Sequence, residues 1–365
     1  MKKLSTLITS IALAIGLSGC GQEQQKSNAT TNTAEVQQSF KWKLVTSWPK
    51  NYPGLGTAPE RFAENVEAMS NGRLKIKVYG AGELVPGFEV FDTVSSGTAE
   101  MGHSAAYYWK GKIPAAQFFT AIPFGMNAQE VNGWLHHGGG MELWKELYAP
   151  YNLIPAAGGN TGVQMAGWFK KEVNSVEDLK GLKMRIPGLG GEVLEKLGGV
   201  PLSLTGGEIF TALQTGAIDA TEWVGPYNDL AFGLNKAAEF YYYSGWHEPG
   251  ANLEFLINKE AFASLPSDLQ AIVTSAMRTA NQDMLDEYTA RNNTALDQLK
   301  NKHNVKLRKF SPEVMQALKA ATMEVISEQA RNDEAVAKVW RSYSEFLQQV
   351  KAYHQISEME YYSNR

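Results

Sequence analysis

The sequence predicts an α/β protein of two similar lobes, followed by a long helix and further helices toward the C-terminus. Two stretches, residues 40–109 and 182–223, each read as strand, helix, strand, helix, strand. That order implies right-handed crossovers and a parallel sheet. The two stretches also share a local recipe: Phe91, Val94, Ser96, Gly97 and Glu100 recur at the same spacing as Phe210, Leu213, Thr215, Gly216 and Asp219. Any helix-to-strand turn favours a glycine and this apolar spacing, so the match alone admits a shared local requirement; two lobes of one design is the preferred reading.

In the first unit, residues 40–47 alternate as a strand with Trp42, Leu44 and Thr46 on one face. Thr57-Ala-Pro-Glu60 has capping-box spacing with proline in the first turn. Its helix would bury Phe62, Val66 and Met69 and end at Gly72. Leu74, Ile76 and Val78 alternate in a strand, and Phe88, Phe91 and Val94 mark a helix. Gly97 then precedes a strand running into Ala105-Ala-Tyr107-Tyr108-Trp109. Residues 113–148 are rich in aromatics, and residues 160–168 alternate like a strand.

The second unit opens with Arg185 between apolar Met184 and Ile186, in a run halted by Pro187-Gly188. A short helix over 191–197 ends at Gly198, and residues 200–204 form a strand. Thr205-Gly-Gly-Glu208 has the spacing of a second capping box, which opens a helix to Gly216. Residues 217–223 are the third strand. Ligands of open parallel sheets bind beyond the carboxyl ends of the strands, where Arg185 and Glu222 both fall. Tyr107-Tyr108 and Glu222-Trp223, the strand ends of the two units, would then face one cleft.

Residues 241–249, which include Glu248, lead into an apolar strand over 253–258. A long helix over 267–302 would bury Leu269, Ile272, Val273, Ala276 and Ala280, and Ser311-Pro312-Glu313 opens another. The stripe of Val336, Val339, Trp340, Tyr343, Phe346, Leu347 and Val350 calls for a partner surface.

With 365 residues, 44% hydrophobic and 20% charged, the chain can bury a core and form about two domains. The expected division is a leader over 1–19 and a tether over 20–38. Lobe I then takes 39–163 with about 252–310, lobe II takes 164–251, and C-terminal helices occupy 311–365.

Lys2-Lys3 followed by fourteen largely apolar residues is too short to span a hydrocarbon core of about 30 Å and reads as a signal peptide. Its end, Leu17-Ser-Gly-Cys20, is similar to a lipoprotein lipobox, and Cys20 is the 1 cysteine of the chain, so a disulfide is excluded and lipidation is its expected use. Loss of Lys2 and Lys3 with the leader leaves 32 basic residues against 38 acidic ones. That balance, without a basic stripe, excludes nucleic acid as a partner. The polar segment 21–38 cannot fold alone and would span about 25 Å as a coil.

Enzymatic motifs fail on order and spacing. Gly102-His-Ser104 and His137-Gly-Gly-Gly140 stand in the wrong sequence for a lipase-like hydrolase, and the turn lacks its second glycine. Gly188-Leu-Gly-Gly191 has Val193 where a dinucleotide site needs a small residue. The histidines show no metal-binding spacing and read as packing or surface residues.

At residues 178–188 and 207–223, which contain Lys-Met-Arg185-Ile-Pro and Thr-Gly-Ala-Ile-Asp-Ala-Thr-Glu222-Trp223, the chain resembles the extracytoplasmic solute receptors of tripartite ATP-independent periplasmic (TRAP) transporters. Within them it is most similar to the branch that binds 2-oxo and 2-hydroxy monocarboxylates. The resemblance covers about residues 40–350 and implies a two-lobed periplasmic-binding-protein-like fold with no enzymatic activity.

It also implies roles. Arg185 would grip the substrate carboxylate, and Tyr107, Tyr108, Asn160, Gln164 and Trp223 would complete the substrate site. A cation would be held by Gln164, Glu222, the Trp223 carbonyl and Glu248, with Ca²⁺ favoured over Na⁺ because two carboxylates are present. Some family members carry an amide where Glu248 stands. The expected partners are a small carboxylate such as pyruvate or lactate, the membrane permease subunits, and a second copy in a homodimer through an exchanged C-terminal helix. A tethered receptor used in signalling, or a metal-dependent enzyme acting on a keto acid, are the alternatives.

Overall fold

The computed structural model describes residues 38–365; Cys20, the leader and all but the last residue of the tether lie outside the described residues. The strands are β1 (Phe40–Thr46), β2 (Leu74–Tyr79), β3 (Met101–Ser104), β4 (Leu153–Asn160), β5 (Gly167–Phe169), β6 (Lys183–Arg185), β7 (Val200–Leu202), β8 (Ala220–Thr221), β9 (Phe240–Tyr243), β10 (Asn252–Asn258) and β11 (Lys306–Lys309). The helices are α1 (Thr57–Met69), α2 (Val90–Ser95), α3 (Ala128–His137), α4 (Gly140–Tyr148), α5 (Gly188–Lys196), α6 (Gly206–Thr215), α7 (Pro226–Phe232), α8 (Lys259–Ala263), α9 (Ser267–Asn301), α10 (Pro312–Asn332), α11 (Glu334–Ile356) and α12 (Glu358–Asn364).

One sheet has the order β2-β1-β3-β10-β4 and the other β11-β9-β5-β8-β6-β7. The parallel pairs expected from the crossovers are present, β1 with β2 and β3, and β6 with β7 and β8. Both sheets are nonetheless mixed. A strand arriving from the other half, β10 in the first sheet and β5 in the second, pairs antiparallel with its neighbours.

The sequence echo is a structural repeat. α2 leads to Gly97 at φ +76° and α6 to Gly216 at φ +83°, a region that costs glycine little. Glu100 then accepts the N–H of Lys43 at 2.6 Å, and Asp219 accepts that of Lys183 at 3.1 Å. The next residues pair in equivalent register, Leu44 with Met101 and Met184 with Ala220. The acid at the tenth position therefore has the same task in each half: it ties the start of the returning strand to its neighbour.

Several expected elements differ. The Thr57 capping box does not form: Gly56 is the N-cap, and Glu60 accepts from the Asn51 N–H at 3.0 Å. The preceding tight turn already satisfies the first helical donors, because Gly56 and Thr57 both donate to the Tyr52 carbonyl. Met69 is exposed rather than buried. β3 stops at Ser104, so Tyr107 and Tyr108 lie in a 3₁₀ turn, Ala106–Trp109. β8 is shorter than the expected strand, and α5 begins at Gly188 rather than Gly191. Residues 161–166, expected within a strand, instead cross from the first sheet to the second. β11 pairs with β9, so the stretch expected in the first lobe up to residue 310 loses its last strand to the second sheet.

The aromatic stripe of α11 finds its partner in its own chain. Val336, Val339 and Tyr343 are buried, Trp134 Nε1 donates to Ser342 at 3.1 Å, and Tyr343 Oη accepts from the Met126 N–H at 2.6 Å. The exposed apolar side chains lie further on, at Tyr353, Ile356, Met359, Tyr361 and Tyr362. α9, at 35 residues about 52 Å long, packs on α1 and β4 of one half and on α7 of the other.

Candidate functional site

The chain passes between the two sheets three times, over residues 161–166, over residues 244–251 and along α9. The first two crossings lie side by side: Gln164 N–H donates to the Glu248 carbonyl at 3.2 Å, and Gly245 N–H donates to the Gln164 carbonyl at 2.8 Å. Their side chains meet as well, with Gln164 Nε2 donating to Glu248 Oε2 at 2.7 Å and to Thr161 Oγ1 at 3.1 Å.

Against this pair the second sheet presents Arg185 from the end of β6 and Glu222 from just beyond β8. Each is 1% exposed, and they form an ion pair through Arg185 Nη1 and Glu222 Oε1. Arg185 Nε donates to the Leu204 carbonyl at 3.3 Å, and Nη2 donates to Tyr108 Oη at 3.3 Å across the lobes. Burial works against its charge, but the surrounding oxygens, Glu222 foremost, outweigh it and hold the guanidinium pKa above the ordinary value. The Trp223 ring lies beneath it at 5.1 Å.

Tyr107 and Tyr108 pack edge to face at 4.7 Å, and burial raises both phenol pKa values. Both remain hydrogen-bond donors at neutral pH.

Arg185, Glu222, Trp223, Gln164, Glu248 and the two tyrosines are thus brought together. Asn160 is also buried, but its amide is used by the crossing itself: Nδ2 donates to the Gly250 carbonyl at 3.2 Å and Oδ1 accepts from the Gly162 N–H at 2.9 Å. His247 is the residue that sequence reasoning set aside. It is buried, its Nε2 lies 3.4 Å from Glu222 Oε2, and neither ring nitrogen has a hydrogen-bond partner among the described residues. Its one sequence signal was adjacency to Glu248.

Glu222, His247 and Glu248 offer ligand atoms within 4.8 Å of one another. Gln164 Oε1 is buried beside them without a hydrogen-bond partner among the described residues. Burial first, and Glu222 second, push the Glu248 carboxyl well above the ordinary carboxylate range. A cation held by oxygen would satisfy the amide and relieve both carboxylates, so the residues fit a hard metal ion.

A charged, enclosed site between two α/β lobes, built partly on the crossings that join them, defines a two-lobed solute-binding protein. The model of one family, bacterial extracellular solute-binding protein family 7 (DctP), matches residues 44–333. The chain belongs to that family of TRAP solute receptors, and it is a receptor rather than an enzyme.

The monocarboxylate 2-oxoacid-binding periplasmic protein of Nostoc sp. (strain PCC 7120) is 48% identical over 336 residues, which cover 91% of each chain. A TRAP periplasmic solute-binding protein from Pseudoalteromonas atlantica, solved with bound sodium and pyruvate, is 46% identical with a TM-score of 0.88. One from Colwellia psychrerythraea, solved with bound calcium and pyruvate, has the same identity and TM-score. In both cases the match covers 90% of this chain and 100% of the other. Among the described residues no helix is long and apolar enough to cross a membrane.

Proposed function

We propose that this receptor captures a small 2-oxo monocarboxylate such as pyruvate, together with a cation, and delivers it to the membrane subunits of a TRAP transporter. The observation that carries the reading is the convergence, beside a buried arginine, of two buried carboxylates and a buried amide oxygen without a partner among the described residues. The relatives whose names carry 2-oxoacid or pyruvate, with sodium or calcium, support it.

Arg185 binds the substrate carboxylate through its planar N–H fork, held in place by the Leu204 carbonyl and Tyr108. Gln164, Glu222, Glu248 and the Trp223 carbonyl hold the cation, which supplies positive charge to the substrate's oxygens. Ca²⁺ is preferred over Na⁺ because two glutamates and one substrate carboxylate stand against one arginine. Tyr107, Tyr108 and the Trp223 ring close around the substrate's body, and Asn160 holds the crossing that carries Gln164.

Lobe I comprises residues 39–163 and the stretch from 252 through α9, lobe II comprises 164–251 with β11, and the helices from 311 follow. Ligand contacts made only with the lobes together drive closure. Cys20 anchors the receptor to the membrane by its lipid, and the exposed apolar residues beyond Tyr353 provide the homodimer contact.

The test is calorimetric titration of the chelator-dialysed chain with pyruvate, longer 2-oxo acids and lactate, with and without Ca²⁺. Saturable one-to-one binding that requires Ca²⁺ is expected. Binding indifferent to chelator and Ca²⁺ would retire the divalent cation, and the absence of heat with every acid would retire the substrate class.

A further inference from the structure

Outside the charged cluster, the Tyr52 hydroxyl bonds across the lobes. Tyr52 lies in the turn between β1 and α1, at the carboxyl end of a strand of the first sheet. Its ring stacks on Phe232 of α7 at 4.2 Å. Its hydroxyl donates to the Asn228 carbonyl, also on α7, at 2.7 Å, and accepts from Trp223 Nε1 at 3.1 Å.

Asn228 is itself gripped from both sides. Nδ2 donates to the Pro53 carbonyl at 2.7 Å, and Oδ1 accepts from Tyr288 Oη of α9 at 2.5 Å. Gly54 makes room for this contact: it sits at φ +68°, and a Cβ there would lie 2.4 Å from the Tyr288 hydroxyl. The turn over residues 52–54 and α9 therefore clasp α7 between them. Trp223 links the clasp to the site, since its ring lies under Arg185 and its indole nitrogen is held by Tyr52.

We infer that Tyr52 is a positioning residue for ligand retention: its hydroxyl fastens the first lobe to α7 and fixes the Trp223 indole, so that it sets the lifetime of the closed complex. Opening the lobes breaks both of its hydrogen bonds. Entry of ligand into the open form uses neither. The hydroxyl therefore acts on dissociation and leaves association alone.

The inference takes its ligand from the proposed function, and the experiment separates the two. The full chain, wild type and the variants Tyr52→Phe and Tyr288→Phe, is mixed rapidly with pyruvate and Ca²⁺ while tryptophan fluorescence is followed. Small-angle scattering of the ligand-free proteins accompanies it. Tyr52→Phe keeps the stacked ring and loses two hydrogen bonds, so its dissociation rate should rise about tenfold with association within about twofold of wild type. Tyr288→Phe also loosens Asn228 but does not touch Trp223, and its dissociation rate should rise less than that of Tyr52→Phe. Ligand-free Tyr52→Phe should show a larger radius of gyration than wild type. An equal rise in the two variants, a change confined to association, or an unchanged radius would overturn the inference. A wild type silent to pyruvate and Ca²⁺ would count against the functional reading, while the scattering comparison would still decide the clasp.

Discussion

Replacing Glu248 by glutamine should exchange the receptor's preference between divalent and monovalent cations. Arg185, Glu222 and Glu248 are each at most 4% exposed, so their charges are weakly screened. One arginine against two glutamates leaves one negative charge, and a bound 2-oxo acid adds another. A divalent ion balances that pair, whereas a monovalent ion leaves one charge uncompensated. In Glu248→Gln the monovalent ion becomes the balanced one.

The magnitude follows from distance. The candidate ligand atoms of Glu222, His247 and Glu248 lie within 4.8 Å of one another. A cation that they share would lie nearer than that to each carboxylate, and even at 4.8 Å, with an effective dielectric of about 20, two unit charges interact by about 3.5 kcal/mol. The removed carboxylate charge acts on one more unit of positive charge in Ca²⁺ than in Na⁺. The ratio of Ca²⁺ to Na⁺ affinity should therefore fall on the order of 300-fold. Glutamine keeps an oxygen for the bond from Gln164 Nε2, so the crossing stays intact. The assay is calorimetric titration of each cation into chelator-dialysed protein at saturating pyruvate, for wild type and variant. A ratio that moves by less than about fivefold would show that Glu248 is not a cation ligand.

Arg185→Lys should weaken pyruvate binding at least about 100-fold by calorimetry, because an ammonium cannot serve the Leu204 carbonyl, Glu222, Tyr108 and a carboxylate together; a dissociation constant within about threefold of wild type contradicts it. Glu254 predicts a pH dependence of stability. Burial pushes its carboxyl up to about 8, although Trp109 Nε1 and Tyr148 Oη both donate to it. The fold thus keeps a proton that the unfolded chain releases near its ordinary 4.5, so this stability is full below that value and declines as pH rises through about 8. Urea midpoints should fall across that window in the wild type and stay flatter in Glu254→Gln, and parallel curves would refute the assignment. Tyr343→Phe strands the buried Met126 N–H and should cost about 1–3 kcal/mol in urea unfolding, with a loss under about 0.5 kcal/mol counting against that contact. Adding Ca²⁺ and pyruvate at about 100 times their dissociation constant should stabilise the chain by about 2.7 kcal/mol, and an unmoved melting temperature would be inconsistent with binding to the folded state alone.

What was legible in the sequence was local. The capping box of Thr205 and Glu208 forms as its spacing implies, with Glu208 accepting from the Thr205 N–H at 2.9 Å. The box of Thr57 and Glu60 has the same spacing and does not form, since a turn that the pattern did not reveal already serves its donors. The glycine-and-acid recipe was legible for a stronger reason. Gly97 and Gly216 need a conformation that few residues adopt, and Glu100 and Asp219 serve backbone donors on the strand that the turn itself brings alongside. The α11 stripe announced burial but not its partner, because an apolar face is the same in sequence whether its own chain or another covers it.

The crossings were the illegible part, and they supply half of the candidate site. Gln164 and Glu248 stand 84 residues apart, Gln164 on a stretch whose alternation reads as a strand although it crosses between the sheets, and they are joined by backbone bonds that no pattern marks. Arg185 and Glu222 could be found because they end strands of a recognisable unit; Gln164, His247 and Glu248 belong to the joints. This division has a mechanical consequence. On the proposed reading, closure carries Arg185 and Glu222 with the second sheet and Tyr108 with the first, while Gln164 and Glu248 lie on the crossings between them. On that reading, an acid and cation bound at the crossings need little motion from their first ligands. Contacts with Tyr108, and the fastening of Tyr52 to α7 and Trp223, arise only as the lobes meet. Those late contacts differ between the open and closed arrangements, and only such contacts can shift the equilibrium toward closure.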